Sequence, residues 1–205
     1  LSGTALSRGA CADATLAAAQ QAAAAGVTTY LDLDLRPDQW TDPSALRVAL
    51  NRLLPFIDVV IGTEEEVYAL LGGAPETVFA GQRLTEEQIT ELEALLSPFL
   101  ATGRGHTLIL KRSARGATIF AAGTPPVAVA GFPVTVLNTV GAGDAFAGGL
   151  IYGRCQGWDW RASARIGNAC GAIVVTRHGC AAAMPRLEEV EAFISNLQSP
   201  GEIGD

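Results

Sequence analysis

Basic side chains are scarce in this sequence of 205 residues, which has 14 Lys and Arg against 21 Asp and Glu and a formal net charge of −7. Because nucleic-acid binding needs clustered Lys and Arg to neutralise phosphates, we expect no nucleic-acid partner. The continuous apolar runs fall far short of the roughly 20 residues that span a bilayer. No basic N-terminal region precedes an apolar stretch and a cleavage site. We therefore expect no signal peptide, no membrane partner and a cytoplasmic location.

Cysteine and histidine are too few and too scattered to suggest a metal site. The cysteines form no Cys-x-x-Cys pair and lie in alanine-rich, core-like contexts, which favours reduced, buried thiols over a zinc site or a disulfide framework. The histidines are isolated, and we expect them to be structural. These residues are Cys11, Cys155, Cys170, Cys180, His106 and His178.

Hydrophobic residues make up 49% of the chain, which fits one globular domain with a substantial core. Periodicity and capping patterns predict helices that alternate with strands, and hence an α/β fold with a parallel core covered on both faces. We expect residues 1–198 to form one core and residues 199–205 to be a frayed tail. The predicted helices are 13–25, 43–54, 64–71, 86–100, 142–152, 160–175 and 187–197, and the predicted strands are 27–35, 57–61, 107–111, 117–121 and 127–136.

The most informative stretch runs from Asn138 to Phe146 and opens into a run of small and apolar residues. Gly141 and Gly143 let the backbone approach a ligand closely, and the start of the following helix directs unpaired N–H groups at it. No lysine follows Gly143, as a P-loop requires, and Phe146 stands where the dinucleotide fingerprint needs glycine. What remains is an anion site with Asp144 as a base at its end, which suggests phosphoryl transfer. The alternative is a tight turn in which Asp144 only caps its helix.

Several polar or small residues fall near the ends of predicted strands, namely Asp34, Gly62, Lys111 and Asn138. Since open α/β sheets bind ligands at the carboxyl ends of their strands, we expect these residues to converge on one cleft. The spacing of Asp32 and Asp34 places both on one strand face, as structural groups or groups at the edge of a substrate.

Residues 139–146 resemble the C-terminal signature of the ribokinase-like (PfkB) carbohydrate kinases. The resemblance covers essentially the whole chain in the right order, because residues 64–66 resemble the family's Asn-x-x-Glu segment and residues 168–185 its closing segment on the adenine side. It implies a three-layer α/β/α ribokinase-like fold with a mostly parallel central sheet. The chain starts at Leu1 without methionine, and we expect it to be the C-terminal two-thirds of such a kinase, without the N-terminal strands and the β lid.

Three details point within the family to a kinase of inositol catabolism: residues 31–37 with Trp40, Asn138 where most members have aspartate, and residues 174–185. The implied reaction transfers the γ-phosphate of ATP to a primary hydroxyl of a sugar acid such as 5-dehydro-2-deoxygluconate. The alternatives are a kinase of 2-keto-3-deoxygluconate or fructose, and a nucleotide-binding but inactive fragment. We expect the isolated chain to be a poor kinase.

The resemblance also assigns roles to residues of the reaction centre. Asp144 would be the catalytic base, and the N–H groups of Gly141, Ala142 and Gly143 would stabilise charge on the transferred phosphoryl group. Glu66 would help to hold Mg²⁺, through water. The alternative for Glu66 is that residues 64–66 favour the helix start through its dipole.

On the substrate side, the resemblance places Arg36 near the carboxylate of the sugar acid or near the phosphate path, with Asp34 at the edge of the substrate. A guanidinium suits a carboxylate because it can donate two parallel hydrogen bonds. The alternative for Arg36 is a surface ion pair with Asp34 or Asp38.

On the nucleotide side, the resemblance implies contacts from five residues: Lys111, Gly116, Thr139, Asn168 and Gly179. For Asn168 the alternative is an ordinary polar residue of an alanine-rich helix. Many family members bind K⁺ beside the glycine loop through backbone carbonyls and an aspartate at the position of Asn138, so the amide leaves K⁺ dependence open. A homodimer is also left open.

Overall fold

The computed structural model of the chain describes residues 1–40, 42–73, 79–101 and 107–198. The predicted tail at 199–205 and His106 lie outside these described residues. The helices are α1 (Gly9–Ala24), α2 (Pro43–Leu53), α3 (Glu64–Leu70), α4 (Glu86–Ala101), α5 (Ala142–Cys155), α6 (Trp160–Val175) and α7 (Leu187–Gln198). The strands are β1 (Tyr30–Asp32), β2 (Val59–Thr63), β3 (Thr107–Lys111), β4 (Ala117–Ala121) and β5 (Val127–Val129).

Local capping chemistry sets several helix starts, as the sequence predicts. The carboxylate of Asp42 accepts a hydrogen bond from the Ala45 N–H at 2.9 Å at the start of α2. Before α4, the Thr85 N–H donates to the Gln88 side chain at 3.0 Å, and the Gln88 N–H donates to the Thr85 hydroxyl at 3.3 Å. This reciprocal pair satisfies two backbone donors that a helix leaves unpaired at its first turn.

The strands form one sheet in the order β1-β2-β3-β4-β5, and β2 pairs in parallel with both β1 and β3. The register aligns Leu31 with Val60 and Val60 with Leu108, and all three side chains are fully buried. Such continuous apolar strands are typical of parallel sheets covered on both faces. The predicted α/β fold class is confirmed.

Two predicted strands are shorter than expected. The strand predicted over 27–35 is only Tyr30–Asp32, because Asp34 takes a left-handed conformation with φ of 36° that no strand accommodates. Asp32 and Asp34 therefore do not share a strand face. The strand predicted over 127–136 ends at Val129, since Gly131 lies against the Ala114 backbone and Pro133 has no N–H to donate to a ladder.

The chain divides into two compact units. The first unit comprises Leu1–Arg112 and Thr118–Val127, and its core is built from the buried aliphatic side chains of β1, β2, β3 and the helices between them. The second unit comprises Ser113–Ala117 and the chain from Ala128 onward, with buried side chains of α5, α6 and α7 at its core. The expectation of one core over 1–198 stays a prediction.

Glycine lets α5 and α6 approach closely within the second unit. A Cβ on Gly149 would lie 2.8 Å from Cys170 Sγ and 3.0 Å from the Gly167 Cα, and a Cβ on Gly153 would lie 2.8 Å from the Ser163 hydroxyl oxygen. Side chains larger than hydrogen do not fit at these contacts without displacement of the neighbouring helix. Helix α5 is therefore held against α6 by close backbone packing along its length.

The expectation of buried thiols is right only for Cys170, whose pKa burial raises to about 11. Cys11 and Cys155 are exposed and Cys180 is partly exposed, because alanine-rich helices also present small residues to solvent. All four thiols are free. Across the described ranges, no helix combines the length and the apolar character that crossing a membrane requires.

Candidate functional site

The residues predicted for the site fall into the two units. Asp34, Arg36, Glu66 and Lys111 belong to the first unit. The second unit contains Gly116, Thr139, Gly141, Ala142, Gly143, Asp144, Asn168 and Gly179.

The glycine loop places backbone donors at the start of α5. Gly141 is the N-cap, with φ of 83° and ψ of −3°, and its carbonyl accepts the first helical hydrogen bond from the Ala145 N–H at 2.9 Å. The N–H groups of Gly143 and Asp144 lie in the first turn, where a helix offers no acceptor. The Ala142 N–H donates to the Thr139 carbonyl at 3.3 Å, so this predicted donor is partly used inside the loop.

Glycine is required at position 141 for two reasons. Its φ is in the left-handed region, which L side chains rarely adopt. In addition, a Cβ on Gly141 would lie 2.9 Å from Cys180 Sγ and 3.3 Å from Met184 Cε. Sequence reasoning did not find these two sulfur-bearing side chains, which pack behind the loop and come from the segment after α6.

Asp144 projects from the first turn of α5 and is exposed. Among the residues that the structure describes, no hydrogen bond or ion pair involves its carboxylate. The alternative in which Asp144 caps its own helix through its side chain is therefore not what the structure shows. A solvent-accessible carboxylate beside free N–H groups is able to accept a proton next to a bound anion.

Asn138 joins the glycine loop to the turn after α6. Its side-chain Nδ2 donates to the Gly179 carbonyl at 3.0 Å, and its Oδ1 accepts from the Val140 N–H at 3.1 Å. The backbone N–H groups of Leu137 and Asn138 donate to the Val175 carbonyl, at 2.8 and 3.2 Å. The sequence marks position 138 as unusual for the family but does not predict this connection.

Two residues predicted on the nucleotide side support the backbone after β5. Asn168 Nδ2 donates to the carbonyls of Val129 and Ala130 at 3.1 and 3.0 Å. Gly116 has φ of 92°, and a Cβ there would lie 2.2 Å from the Val129 carbonyl oxygen. The structure thus gives both residues a structural use, and their contacts with a nucleotide stay predictions.

Gly179 differs from Gly116 in its surroundings. Its φ is 103°, and a Cβ at this position would meet nothing within 4 Å. Glycine is needed here for backbone conformation alone. Its exposed carbonyl is the group that Asn138 binds.

In the first unit, Asp34 holds Arg36. Arg36 Nη2 lies 2.7 Å from Asp34 Oδ1, which is the ion pair that the sequence left as an alternative. The other Asp34 oxygen accepts from the hydroxyls of Thr4 at 2.9 Å and Ser2 at 3.3 Å. The Arg36 side chain remains 57% exposed, so most of its guanidinium donors face solvent.

Glu66 closes the capping box at the start of α3. Its Oε1 accepts from the Leu35 N–H at 2.8 Å and its Oε2 from the Thr63 N–H at 2.7 Å, while the Glu66 N–H donates to the Thr63 hydroxyl at 3.3 Å. This geometry gives Glu66 a structural use at the start of α3, and its role toward Mg²⁺ stays a prediction. Within the described ranges, no three metal-binding side chains cluster in a way that could hold an ion.

Lys111, the only lysine of the sequence, pairs with Asp32. Its Nζ lies 3.0 Å from Asp32 Oδ1, and the two side chains are only 14% and 15% exposed. Burial raises the pKa of Asp32 above its ordinary value, and the Lys111 ammonium opposes that rise. Within this unit the ammonium is committed to a structural ion pair, so a nucleotide contact for Lys111 stays a prediction.

The family of this chain follows from its match to a protein-family model. The model of the pfkB family of carbohydrate kinases matches residues 1–187. The chain belongs to the pfkB family of carbohydrate kinases. The resemblance seen in residues 139–146 is thereby confirmed.

This pfkB chain is similar to curated and structurally solved members of the family. The 5-dehydro-2-deoxygluconokinase of Shouchella clausii (strain KSM-K16) is 30% identical over 194 residues, which is 95% of this chain and 55% of the relative. A protein from E. coli described as a ribokinase II, solved with ATP and Mg²⁺, superposes with a TM-score of 0.78 at 30% identity over 95% of this chain and 57% of that one.

A third similar protein was solved with a monovalent cation. It is a fructokinase double mutant from Vibrio cholerae O395 in a fructose, ADP and potassium ion bound form. It superposes with a TM-score of 0.72 at 26% identity over 94% of this chain and 58% of that one. The ribokinase-like fold prediction is confirmed. The pfkB chain spans about 55% of the length of these curated relatives.

Proposed function

We propose that this pfkB chain carries the phosphoryl-transfer half of an ATP-dependent sugar kinase, and that its substrate is a sugar acid such as 5-dehydro-2-deoxygluconate. One observation carries the proposal. At the start of α5, free backbone N–H groups and an unpaired carboxylate, Asp144, lie within one helical turn. Phosphoryl transfer needs a base for the acceptor hydroxyl and donors for the charge on the transferred group.

In the proposed reaction, Asp144 accepts the proton of a primary hydroxyl as that oxygen bonds to the γ-phosphorus of ATP. The bond from the γ-phosphorus to its bridging oxygen breaks, and ADP leaves with that oxygen. The N–H groups of Gly141 and Gly143 donate to the transferred phosphoryl oxygens, and the partly engaged Ala142 N–H adds to them. The proton remains on the Asp144 carboxylate until the products leave.

Magnesium, when bound with the nucleotide, neutralises charge on the β- and γ-phosphates. Glu66 fits only an indirect role toward it, because each of its oxygens already accepts a backbone N–H. Since Mg²⁺ keeps several of its waters, the remaining lone pairs of this carboxylate suit contact through water. Glu66 also fixes the Leu35 backbone, next to Arg36.

The choice of a sugar acid rests on Arg36. The Asp34 carboxylate takes one guanidinium N–H, while the rest of the exposed guanidinium is free to donate to a second carboxylate. Relatives called 5-dehydro-2-deoxygluconokinase support this choice. A neutral sugar such as fructose is the second candidate, supported by the fructokinase superposition.

The test is a coupled ADP-release assay with MgATP and matched acid and neutral sugars. We expect the sugar acid to be preferred, and Arg36→Gln to lower kcat/KM for it by roughly 10- to 100-fold, the range for a lost charge-assisted hydrogen-bond pair. Arg36→Lys should recover only part of this loss, since an ammonium cannot donate in a fork. The exposed Arg52 on α2 provides the control substitution, Arg52→Gln.

Equal losses for acid and neutral sugars in Arg36→Gln would show that Arg36 does not select the substrate. The expectation that the chain alone is a poor kinase stays a prediction. Rapid turnover by the chain alone would contradict that expectation.

A further inference from the structure

We propose that the side-chain amide of Asn138 closes the glycine loop against the Gly179 turn without a monovalent cation, so that the loop keeps its anion-binding geometry in the absence of K⁺. Asn138 is thus a positioning residue that acts through the backbone of the loop. The nucleotide-binding consequence rests on the proposed function, whereas the cation independence of the loop does not.

The hydrogen-bond partners fix the orientation of the Asn138 amide. The Val140 N–H is a donor, so the Asn138 atom 3.1 Å away is the oxygen. The Gly179 carbonyl is an acceptor, so the Asn138 atom 3.0 Å away is the nitrogen with its two hydrogens. A flipped amide would oppose donor to donor and acceptor to acceptor.

This orientation does not fit a cation between position 138 and the Gly179 carbonyl. A hard monovalent cation is held by oxygen lone pairs, but the Asn138 atom that faces Gly179 presents hydrogens with partial positive charge. The amide itself supplies the attraction to the carbonyl that an ion would otherwise supply. The potassium-bound fructokinase structure therefore does not predict a potassium requirement for this chain.

The connection bears on the loop because the packing behind Gly141 comes from the same turn. Cys180 follows Gly179 directly, and its Sγ would lie 2.9 Å from a Cβ on Gly141. The Val140 N–H that Asn138 binds immediately precedes Gly141. Loss of the amide would thus free both the loop and the turn that supports it, and the donors at the start of α5 would lose their fixed direction.

The experiment compares wild type, Asn138→Asp and Asn138→Ala in potassium chloride and in tetramethylammonium chloride at equal ionic strength. The affinity for MgATP is measured by calorimetry, and the thermal unfolding midpoint is measured without nucleotide. For wild type we expect both quantities to agree between the two salts, within about twofold in Kd. Asn138→Ala should weaken MgATP binding by roughly 5- to 20-fold in both salts, as two hydrogen bonds are lost.

Asn138→Asp places a carboxylate oxygen against the Gly179 carbonyl, and this pair repels unless a cation lies between them. We therefore expect this variant to bind MgATP weakly in tetramethylammonium and to recover in potassium, with its unfolding midpoint following the same pattern. Asn196→Asp on α7, at an exposed position, controls for the added charge and should show no preference for potassium.

A wild-type midpoint that rises selectively in potassium would overturn the proposal, and so would an aspartate variant indifferent to the salt. The thermal unfolding midpoints distinguish a failure of the proposed function from a failure of the proposed role of Asn138. If no variant binds MgATP but the aspartate variant alone responds to potassium, the proposed function fails and the role of Asn138 stands. Should Asn138→Ala fail to fold, the salt comparison of wild type and the aspartate variant decides.

Discussion

Replacement of Gly141 by alanine tests the geometry of the glycine loop most sharply. The left-handed backbone at φ of 83° costs an L residue about 1–2 kcal/mol. The new methyl group would also lie 2.9 Å from Cys180 Sγ, and such overpacking adds about 1 kcal/mol or more. Together these two costs predict that the free energy of unfolding falls by roughly 2–3 kcal/mol. For a chain of this size, the corresponding fall in Tm is about 5–10 °C.

The same substitution at Gly148 is the matched control. Gly148 is exposed in α5, and a Cβ there would meet nothing within 4 Å. Because alanine is the better helix former by about 0.8–1 kcal/mol, Gly148→Ala should raise Tm by about 2–4 °C. The same substitution at two positions about two helical turns apart is thus expected to have opposite effects on stability.

The assay is thermal unfolding followed by circular dichroism, together with calorimetry of MgATP binding. Gly141→Ala should weaken MgATP binding about tenfold, since the loop donors shift from their positions. Adding Cys180→Ala removes the sulfur contact, so the double variant should recover the packing part of the loss but not the backbone part. If Gly141→Ala matches wild type in both Tm and affinity, the account of the loop is wrong.

Two further predictions concern packing and pH. Gly149→Ala should lower the free energy of unfolding by roughly 1–3 kcal/mol in urea titrations, because its methyl group would lie 2.8 Å from Cys170 Sγ; no change would mean that α5 and α6 are loosely packed. Burial raises the folded-state pKa of Asp32, so its ionisation opposes folding and stability falls as pH rises from the ordinary Asp pKa to the folded one. Lys111→Met removes the cation that limits this rise. Relative to wild type, the variant should therefore lose more stability at about pH 7 than at about pH 4. An equal loss at both pH values would contradict the pairing.

Features of the fold that depend on neighbouring residues were predictable from the sequence. The caps formed by Asp42 and by Thr85 with Gln88 join residues three apart, so their chemistry is visible in a short window. The end of β1 was not predictable in this way. Asp34 leaves the strand where its carboxylate accepts hydrogen bonds from Ser2 and Thr4, about 30 residues earlier, and no local pattern encodes that contact.

The candidate site likewise combines local features that the sequence predicts with long-range contacts that it does not. The glycine loop is contiguous, so Gly141 and Asp144 could be singled out from residue types alone. Asn138 and Gly179 are 41 residues apart, and their hydrogen bond appears only once the turn after α6 is placed. Glu66 likewise reaches Leu35, 31 residues earlier, a contact that no local pattern encodes, and its role toward Mg²⁺ stays a prediction.

The central claim is that Asp144 is the base of a phosphoryl transfer whose phosphate lies at the start of α5. The most direct test is Asp144→Asn, which keeps the shape of the side chain, with MgATP affinity and turnover measured on the same preparation. The account predicts MgATP binding as tight as in wild type or tighter, with turnover reduced by roughly 10²- to 10⁴-fold, the contribution of a general base. Turnover within a few-fold of wild type would contradict it.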